Sequence, residues 1–376
     1  MMIIGTLPTK DKIHRYQRCL VVPFVGKRRV MSTSMHNGGY REDLTAVFNH
    51  DVNPGPGVTC SYCTQGEDER QKFIRENLGL DYDTVAYMAT IVAMDNAVVR
   101  EATYDELTVT AIATASVEVN GGRVGEPATC HEKHGKSIRL QPGTINIMVF
   151  VNADLTPGCL ARAMITATEA KTAALQELMA ASLNSSGLAT GTGTDNVMII
   201  ANAESDHLLT YAGKSGKLGE LIGVTVMAAV KQSLGQHMNL TVERQHSMVA
   251  RMKRFGIGEN SFSPASPGAG ETTQPCRADF LHAVHMLDQC DQVVTFASLY
   301  AHLLDQLAWR LLSVKEAAAA GEDLLLQLAT VYGCPWQKKK STAKSIDEGK
   351  DQMLRRFIDL ISALALSKYN FLEEKK

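Results

Sequence analysis

Apolar residues recur at the helical period in one long stretch near the middle of the chain. Met164, Ala167, Ala170, Ala174, Leu175 and Leu178 fall on one face of a helix that should pack on a sheet. The pattern predicts a core helix from Pro157 to Leu183, with Pro157 suited to its first turn. Asn184-Ser185-Ser186-Gly187 should end it, because Asn and Gly tolerate the left-handed conformation that closes a helix. Asn196 to Ala201 is a short apolar run of strand length. Between the two lies Ala189-Thr190-Gly191-Thr192-Gly193-Thr194-Asp195, with three hydroxyls, one carboxylate and two glycines. A loop that polar between two apolar elements is either a site or a heavily hydrogen-bonded turn.

Upstream the period shortens to two. Leu20 to Val25, Arg29 to Thr33, Val85 to Met94, Leu107 to Val119 and Gly143 to Ala153 read as strands, rich in β-branched residues. Asn37-Gly38-Gly39 signals a tight turn with positive φ, and a turn is favoured there over a backbone loop held against a ligand. Glu67 to Leu78 is helical in pattern, and Gly213 to Leu234 begins rich in glycine and becomes an apolar helix. Residues 260–276 carry mostly Ser, Pro, Gly and Thr and read as a linker. Beyond it Ala278 to Val314, Glu322 to Tyr332 and Ile346 to Leu372 are helical. Stripes at Phe296, Leu299, Tyr300, Leu303, Leu307 and Leu311, and at Leu354, Phe357, Ile358, Ile361 and Leu364, suit internal or dimer packing. The expected architecture is α+β, with a largely antiparallel sheet covered by helices over 1–259, a linker over 260–276 and a separate all-α region over 277–376.

Composition narrows the function classes. A net charge of -2 over 376 residues offers no electrostatic reason to expect nucleic acid or an anionic membrane as partner. No run approaches the length of a membrane span, and Met1 to Pro8 lacks the basic start and apolar centre of a secretory signal, so a cytoplasmic location is expected. Eight cysteines in a chain this long do not make a disulfide scaffold. Cys60 and Cys63 have the spacing of a zinc half-site that Cys130, His131 and His134 would complete, structural in character if present. Gly213-Lys214-Ser215 is not a P-loop, because Leu208 stands where its first glycine belongs, and the Thr/Gly loop does not follow GxGxxG.

The chain resembles the adenosylcobinamide amidohydrolase family of corrinoid salvage. The resemblance rests on colinear stretches: Arg28-Arg29-Val30-Met31-Ser32-Thr33-Ser34 with Asn37-Gly38-Gly39, Phe48-Asn49-His50, and Gly125-Glu126-Pro127-Ala128. It continues through Gly143-Thr144-Ile145-Asn146-Ile147, Asn152-Ala153, Ala167-Thr168-Glu169-Ala170-Lys171 and residues 189–195. It implies hydrolysis of the amide joining the aminopropanol arm to the corrin ring, giving adenosylcobyric acid. Cobalt would belong to the corrinoid substrate, with no further cofactor and no protein-bound metal required. The matching motifs put substrate-binding residues at Ser32, Thr33, Asn37, Gly38, Gly39, Asn49, Asn146, Thr190, Gly191, Thr192, Gly193 and Thr194. The C-terminal helices fall outside the resemblance and are expected to support assembly, as in a homo-oligomer.

Amide hydrolysis needs an activated nucleophile, a proton donor for the leaving amine and donors for the developing oxyanion. His50, Glu169 and Asp195 are the catalytic candidates. His50 titrates near neutrality when unperturbed. Glu169 sits on a small-residue helical face and is either a site residue or a partner for Lys171 or Arg162. Asp195 and the three threonines would orient water, and the glycine N–H groups would serve the oxyanion. Direct attack by water is favoured over a covalent ester on Thr or Ser, since no GxSxG elbow is present. The rival reading is a non-catalytic corrinoid-binding or carrier protein with a helical interaction module. Against it, the cobalamin-carrier signature DxHxxG is missing, as Phe48 stands where its Asp belongs.

Overall fold

Alternation along a few strands decides which residues meet. The computed structural model describes residues 1–55, 66–128, 131, 144–264 and 276–373, which divide into two units, Met1–Thr241 and Val242–Lys376. A five-stranded sheet in the first unit has the order β1 (Met2–Thr6), β2 (Lys12–Tyr16), β3 (Cys19–Pro23), β6 (Ala46–Asp51), β7 (Val85–Thr90). A six-stranded sheet has the order β5 (Gly39–Arg41), β4 (Arg28–Ser32), β14 (Asn196–Asn202), β11 (Ile145–Val151), β9 (Leu107–Ala115), β8 (Val98–Tyr104). Neighbours are antiparallel except β6 with β7 and β11 with β14. Shorter pairs join β10 (Gly121–Gly122) to β13 (Gly191–Thr192), and β12 (Asp154–Leu155) to β15 (Leu208–Leu209).

The expected α+β class holds, but the antiparallel sheet is two sheets. Leu20, Val22, Val47, Ala86 and Met88 of one meet Val30, Ile112, Met148, Phe150, Met198 and Ile200 of the other in a shared core. The opposite face of the six-stranded sheet offers Val109, Ala111, Ile147, Val149, Val197 and Ile199 to α2 (Pro157–Glu177) and α3 (Lys217–Met238). On the outer face of the five-stranded sheet, Val21, Phe48 and Tyr87 pack against Ile74 and Leu78. These two follow α1 (Glu67–Lys72), Ile74 lying in a π-helical turn, Phe73–Asn77. The central strands are therefore buried on both faces, which is why β9, β11 and β14 read as nearly continuous apolar runs.

β11, α2 and β14 form one crossover between parallel strands. Thr156 caps α2 by accepting from the Cys159 N–H (3.3 Å), and Pro157 occupies the first turn, where its missing donor costs nothing. The helix runs back along the sheet. Its rise from Pro157 to Lys171 is about 21 Å at 1.5 Å per residue, and β11 is about 20 Å long at 3.3 Å per residue. The late part of α2 is thereby returned to the strands' N-terminal end.

Two expected boundaries shift. The helix stops at Glu177, not Leu183: Met179 turns left-handed (φ 51°), and its N–H and that of Ala180 close on the Gln176 and Leu175 carbonyls. Leu175 and Ala180, both buried in the same core, form the apolar pair that accompanies such a stop. The segment 278–314 is broken into α5 (Arg277–Asp288) and α6 (Asp291–Ala308). The Asp288 carboxylate accepts from Ser247 Oγ (2.8 Å) and the Val249 N–H (2.7 Å) at the start of α4 (Met248–Met252).

The second unit is all helical, completed by α7 (Val314–Val331) and α8 (Ile346–Glu373). It begins ahead of the expected boundary at 259, because Met248, Met252, Ile257 and Phe262 are buried in its core with Phe280, Tyr300, Leu325 and Phe357. Residues 265–275 of the expected linker lie outside the described residues. On α6 the buried line is Val293, Ala297, Tyr300, Leu304 and Leu307, whereas Leu299 and Leu311 are exposed. The Tyr300 hydroxyl donates to the Met353 carbonyl on α8 (2.7 Å). Among the described residues no helix is long and apolar enough to cross a membrane.

Candidate active site

The Thr/Gly loop closes on its own carboxylate. Asp195, at the entry to β14, accepts the Thr192 hydroxyl (2.6 Å) and the Ile145 N–H (3.1 Å) on Oδ1, and the Thr192 N–H (3.1 Å) on Oδ2. The fourth donor is the Lys171 ammonium, ion-paired to Oδ2. Both side chains are largely withdrawn from water, 7% exposed for Lys171 and 12% for Asp195. The loop needs glycine at 191, since a Cβ there would collide with both the Asp195 carboxylate and the Lys171 ammonium. Among the described residues, nothing lies within 4 Å of where a Cβ on Gly193 would stand.

Lys171, expected only as a motif residue and a partner for Glu169, pairs with Asp195 instead. It shares an apolar helical face with Ala167, Ala174 and Leu178, all buried. A charge in such a stripe is withdrawn from water and must be paired, and that was the available signal. Glu169, two positions earlier, is exposed and makes no ion pair among the described residues.

A buried asparagine network supports the loop from below. Asn49 Nδ2 donates to Thr114 Oγ1 (2.8 Å), and Asn146 Nδ2 donates to Asn49 Oδ1 (2.7 Å) and to the Ala89 carbonyl (3.1 Å). Asn196, paired in register with Asn146 across β11 and β14, donates to the Thr194 carbonyl (3.0 Å), and so does the Thr144 hydroxyl. Thr33 joins from β4's end, its Oγ1 accepting from the Val197 N–H (2.9 Å). Asn49 and Asn146 are 3% and 1% exposed, so each amide would be expensive to leave unpaired.

Thr190, Gly191, Thr192, Gly193, Thr194 and Lys171 line a cleft of about 850 Å³. Its other wall includes Asn120, Arg123 and Glu126. Asn120 Nδ2 donates to Thr194 Oγ1 (3.2 Å), and Thr190 Oγ1 accepts from the Val124 N–H (2.9 Å). Burial acts to raise the Glu126 carboxyl's pKa. Donation from Ser185, the Arg123 N–H and Ser182 outweighs it and holds the group below the usual carboxylate range. The cleft is thus lined by threonine hydroxyls and an ammonium, polar donors of the kind an amide carbonyl requires.

His50 lies elsewhere. With Ala46 and Phe48 it points to the outer face of the five-stranded sheet, while its neighbour Asn49 points inward. Its ring stacks on Phe73 (centroids 4.6 Å apart, planes 5° apart), and it lines a separate cavity of about 250 Å³ with Arg18, Arg70 and Tyr87. Burial, and then the Arg18 charge, push its pKa down to about 4. The expected grouping of His50, Glu169 and Asp195 around one cleft is therefore not what the fold presents: only Asp195 adjoins it.

The remaining expected residues divide in the same way. Ser32 is buried and its Oγ accepts from the Ser34 N–H (2.9 Å). Asn37 is left-handed (φ 51°) and its Nδ2 donates to the Val85 and Tyr82 carbonyls (2.9 and 3.0 Å). Gly39 has φ 80°, and a Cβ on Gly38 would strike the Ser34 carbonyl. These three make the tight turn between β4 and β5. Cys60, Cys63, Cys130 and His134 lie outside the described residues, within which no group of three or more His, Cys, Asp or Glu is arranged to hold a metal ion.

Comparison with known proteins agrees with the motifs. An uncharacterized protein of Methanocaldococcus jannaschii is 34% identical over 228 residues, covering 58% of this chain and 86% of that protein. The crystal structure of the PH0078 protein from Pyrococcus horikoshii OT3 aligns with 62% of this chain and 82% of that one at 12% identity, with a TM-score of 0.29, too slight a likeness to argue from. The family model described as adenosylcobinamide amidohydrolase matches residues 5–242. The match ends where the first unit ends and takes in the whole cleft and its supporting network. The chain belongs to the adenosylcobinamide amidohydrolase family.

Proposed function

We propose that the chain hydrolyses the amide between the aminopropanol arm and the corrin ring of adenosylcobinamide, giving adenosylcobyric acid and the free amine. The family supports a hydrolase acting on adenosylcobinamide, and the corrinoid brings its own cobalt. The observation that carries the reading is the Lys171–Asp195 pair beneath a threonine-lined cleft. A buried ammonium is stabilised by a carboxylate on one side and faces the cleft on the other. There it donates to a carbonyl oxygen as negative charge grows on it. At about 850 Å³ the cleft lies in the upper range for small-molecule sites, suited to the arm and the adjoining edge of the ring. Among the described residues no side chain stands over Gly193, which leaves a bulky ring room to approach the loop backbone there.

The test is incubation of the purified protein with adenosylcobinamide and identification of products by chromatography and mass. Adenosylcobyric acid and aminopropanol in equal amounts are expected. Recovery of the substrate unchanged but protein-bound would reject hydrolysis in favour of a carrier.

A further inference from the structure

The notable feature of the Thr/Gly loop is the direction of one proton. Thr192 Oγ lies 2.6 Å from Asp195 Oδ1 and donates to it, while accepting the Thr194 N–H (3.3 Å), which leaves one lone pair for another partner. Asp195 is in turn fixed by the Lys171 ammonium and by two main-chain N–H groups. A hydroxyl bonded to a base that a third group orients is the arrangement of an activated nucleophile. Thr192 and Lys171 both line the cleft, and glycine at 191 gives the three side chains room to meet. Asp195 reaches the cleft through Thr192 and Lys171, and the carboxylate in the cleft wall, Glu126, is engaged instead by Ser182, Ser185 and the Arg123 N–H.

Building on the amide hydrolysis proposed above, we infer that Thr192 Oγ attacks the substrate carbonyl and that the reaction passes through an ester on Thr192. The oxygen bonds to the carbonyl carbon as its proton moves to Asp195 Oδ1. Lys171 gives a proton from Nζ to the amine nitrogen as the C–N bond breaks, and recovers one from Asp195 across their contact. The aminopropanol arm leaves as the neutral amine. Water then adds to the ester carbonyl, returning one proton to Thr192 Oγ as the C–O bond breaks and leaving the carboxylic acid. The sum is amide plus water to acid plus amine. This route differs from the expectation of direct attack by water in placing the attacking oxygen on the protein.

Turnover of adenosylcobinamide by the full chain in the presence of hydroxylamine tests it. Partition of the product into adenosylcobyryl hydroxamate and acid is expected, with acid-quenched protein carrying the corrinoid on the peptide containing Thr192. Thr192→Val should lose about 1000-fold or more in kcat while keeping its fold by circular dichroism, and Thr192→Ser should still form the hydroxamate. A threonine that only ties the loop would give no hydroxamate and no corrinoid-bearing peptide. Acid without hydroxamate, an adduct on another residue, or Thr192→Val within tenfold of the parent overturns the nucleophile alone. A parent protein that releases no acid overturns the reaction itself, and the nucleophile with it.

Discussion

Replacing Lys171 by Met tests whether the ion pair under the cleft behaves as a buried pair. Exposed pairs contribute about 0–1 kcal/mol, whereas breaking a buried one by removing a partner costs about 3–5 kcal/mol. With side chains 7% and 12% exposed, Lys171 and Asp195 belong to the second class. After Lys171→Met the carboxylate keeps three donors, the Thr192 and Ile145 N–H groups and the Thr192 hydroxyl. Methionine also retains most of the apolar stem, so the loss should sit at the low end, about 3 kcal/mol. Asp195→Asn should cost more, because it strands the ammonium and turns an amide donor toward groups that are themselves donors. The double variant should cost less than the sum of the two by about 2 kcal/mol. Tryptophan fluorescence is the wrong reporter, since Trp309 and Trp336 both lie in the second unit. Native-state hydrogen exchange at the β14 amides Val197 to Ala201 is the right one, and 3 kcal/mol would appear as a roughly 100-fold loss of protection. Losses below about 1 kcal/mol for both single variants, or a larger loss for Lys171→Met than for Asp195→Asn, would refute the reasoning.

Two more outcomes follow from the geometry. Gly191→Ala should disrupt the pair and destabilise the first unit by about 3 kcal/mol, while Gly193→Ala, with open space at its Cβ, should stay within about 0.5 kcal/mol; equal effects in the same exchange measurement would contradict this account of the loop. His50 titrates at about 4 when folded against an ordinary 6.5, so unfolding takes up a proton between those values. Stability is full above pH 6.5 and falls as pH drops toward 4, by up to about 3 kcal/mol from this group; His50→Phe should flatten that limb of the stability–pH curve, and an unchanged slope would show that His50 is not the titrating group.

Much of the frame was legible because it depends on period. The α2 stripe and the runs of β9, β11 and β14 announce their elements, and the polar loop between α2 and β14 stood out for its composition. What was hidden depends on distance. A strand such as β9, buried on both faces, does not say whether its second neighbour layer is helix or sheet, so one sheet was expected where there are two. The end of α2 was missed because Ala180, Ala181 and Leu183 prolong the apolar pattern past Met179, the residue that turns left-handed. The grouping of His50 with the carboxylates failed for a reason already present in the sequence. Asn49 and His50 are adjacent in a strand, and period two sends them to opposite faces. Asn49 went to the network below the loop, and His50 to the far side of its sheet.

The crossover from β11 through α2 to β14 has a consequence for how the site comes into being. Only 24 residues separate the two charges that meet at its centre. The chain entropy lost in joining them rises only with the logarithm of that span. Packing of α2 on β14, the strand that Asp195 enters, holds the lysine within reach of that carboxylate. The charged centre is therefore closed by a short span of chain, and a corrinoid arriving there meets donors already in place.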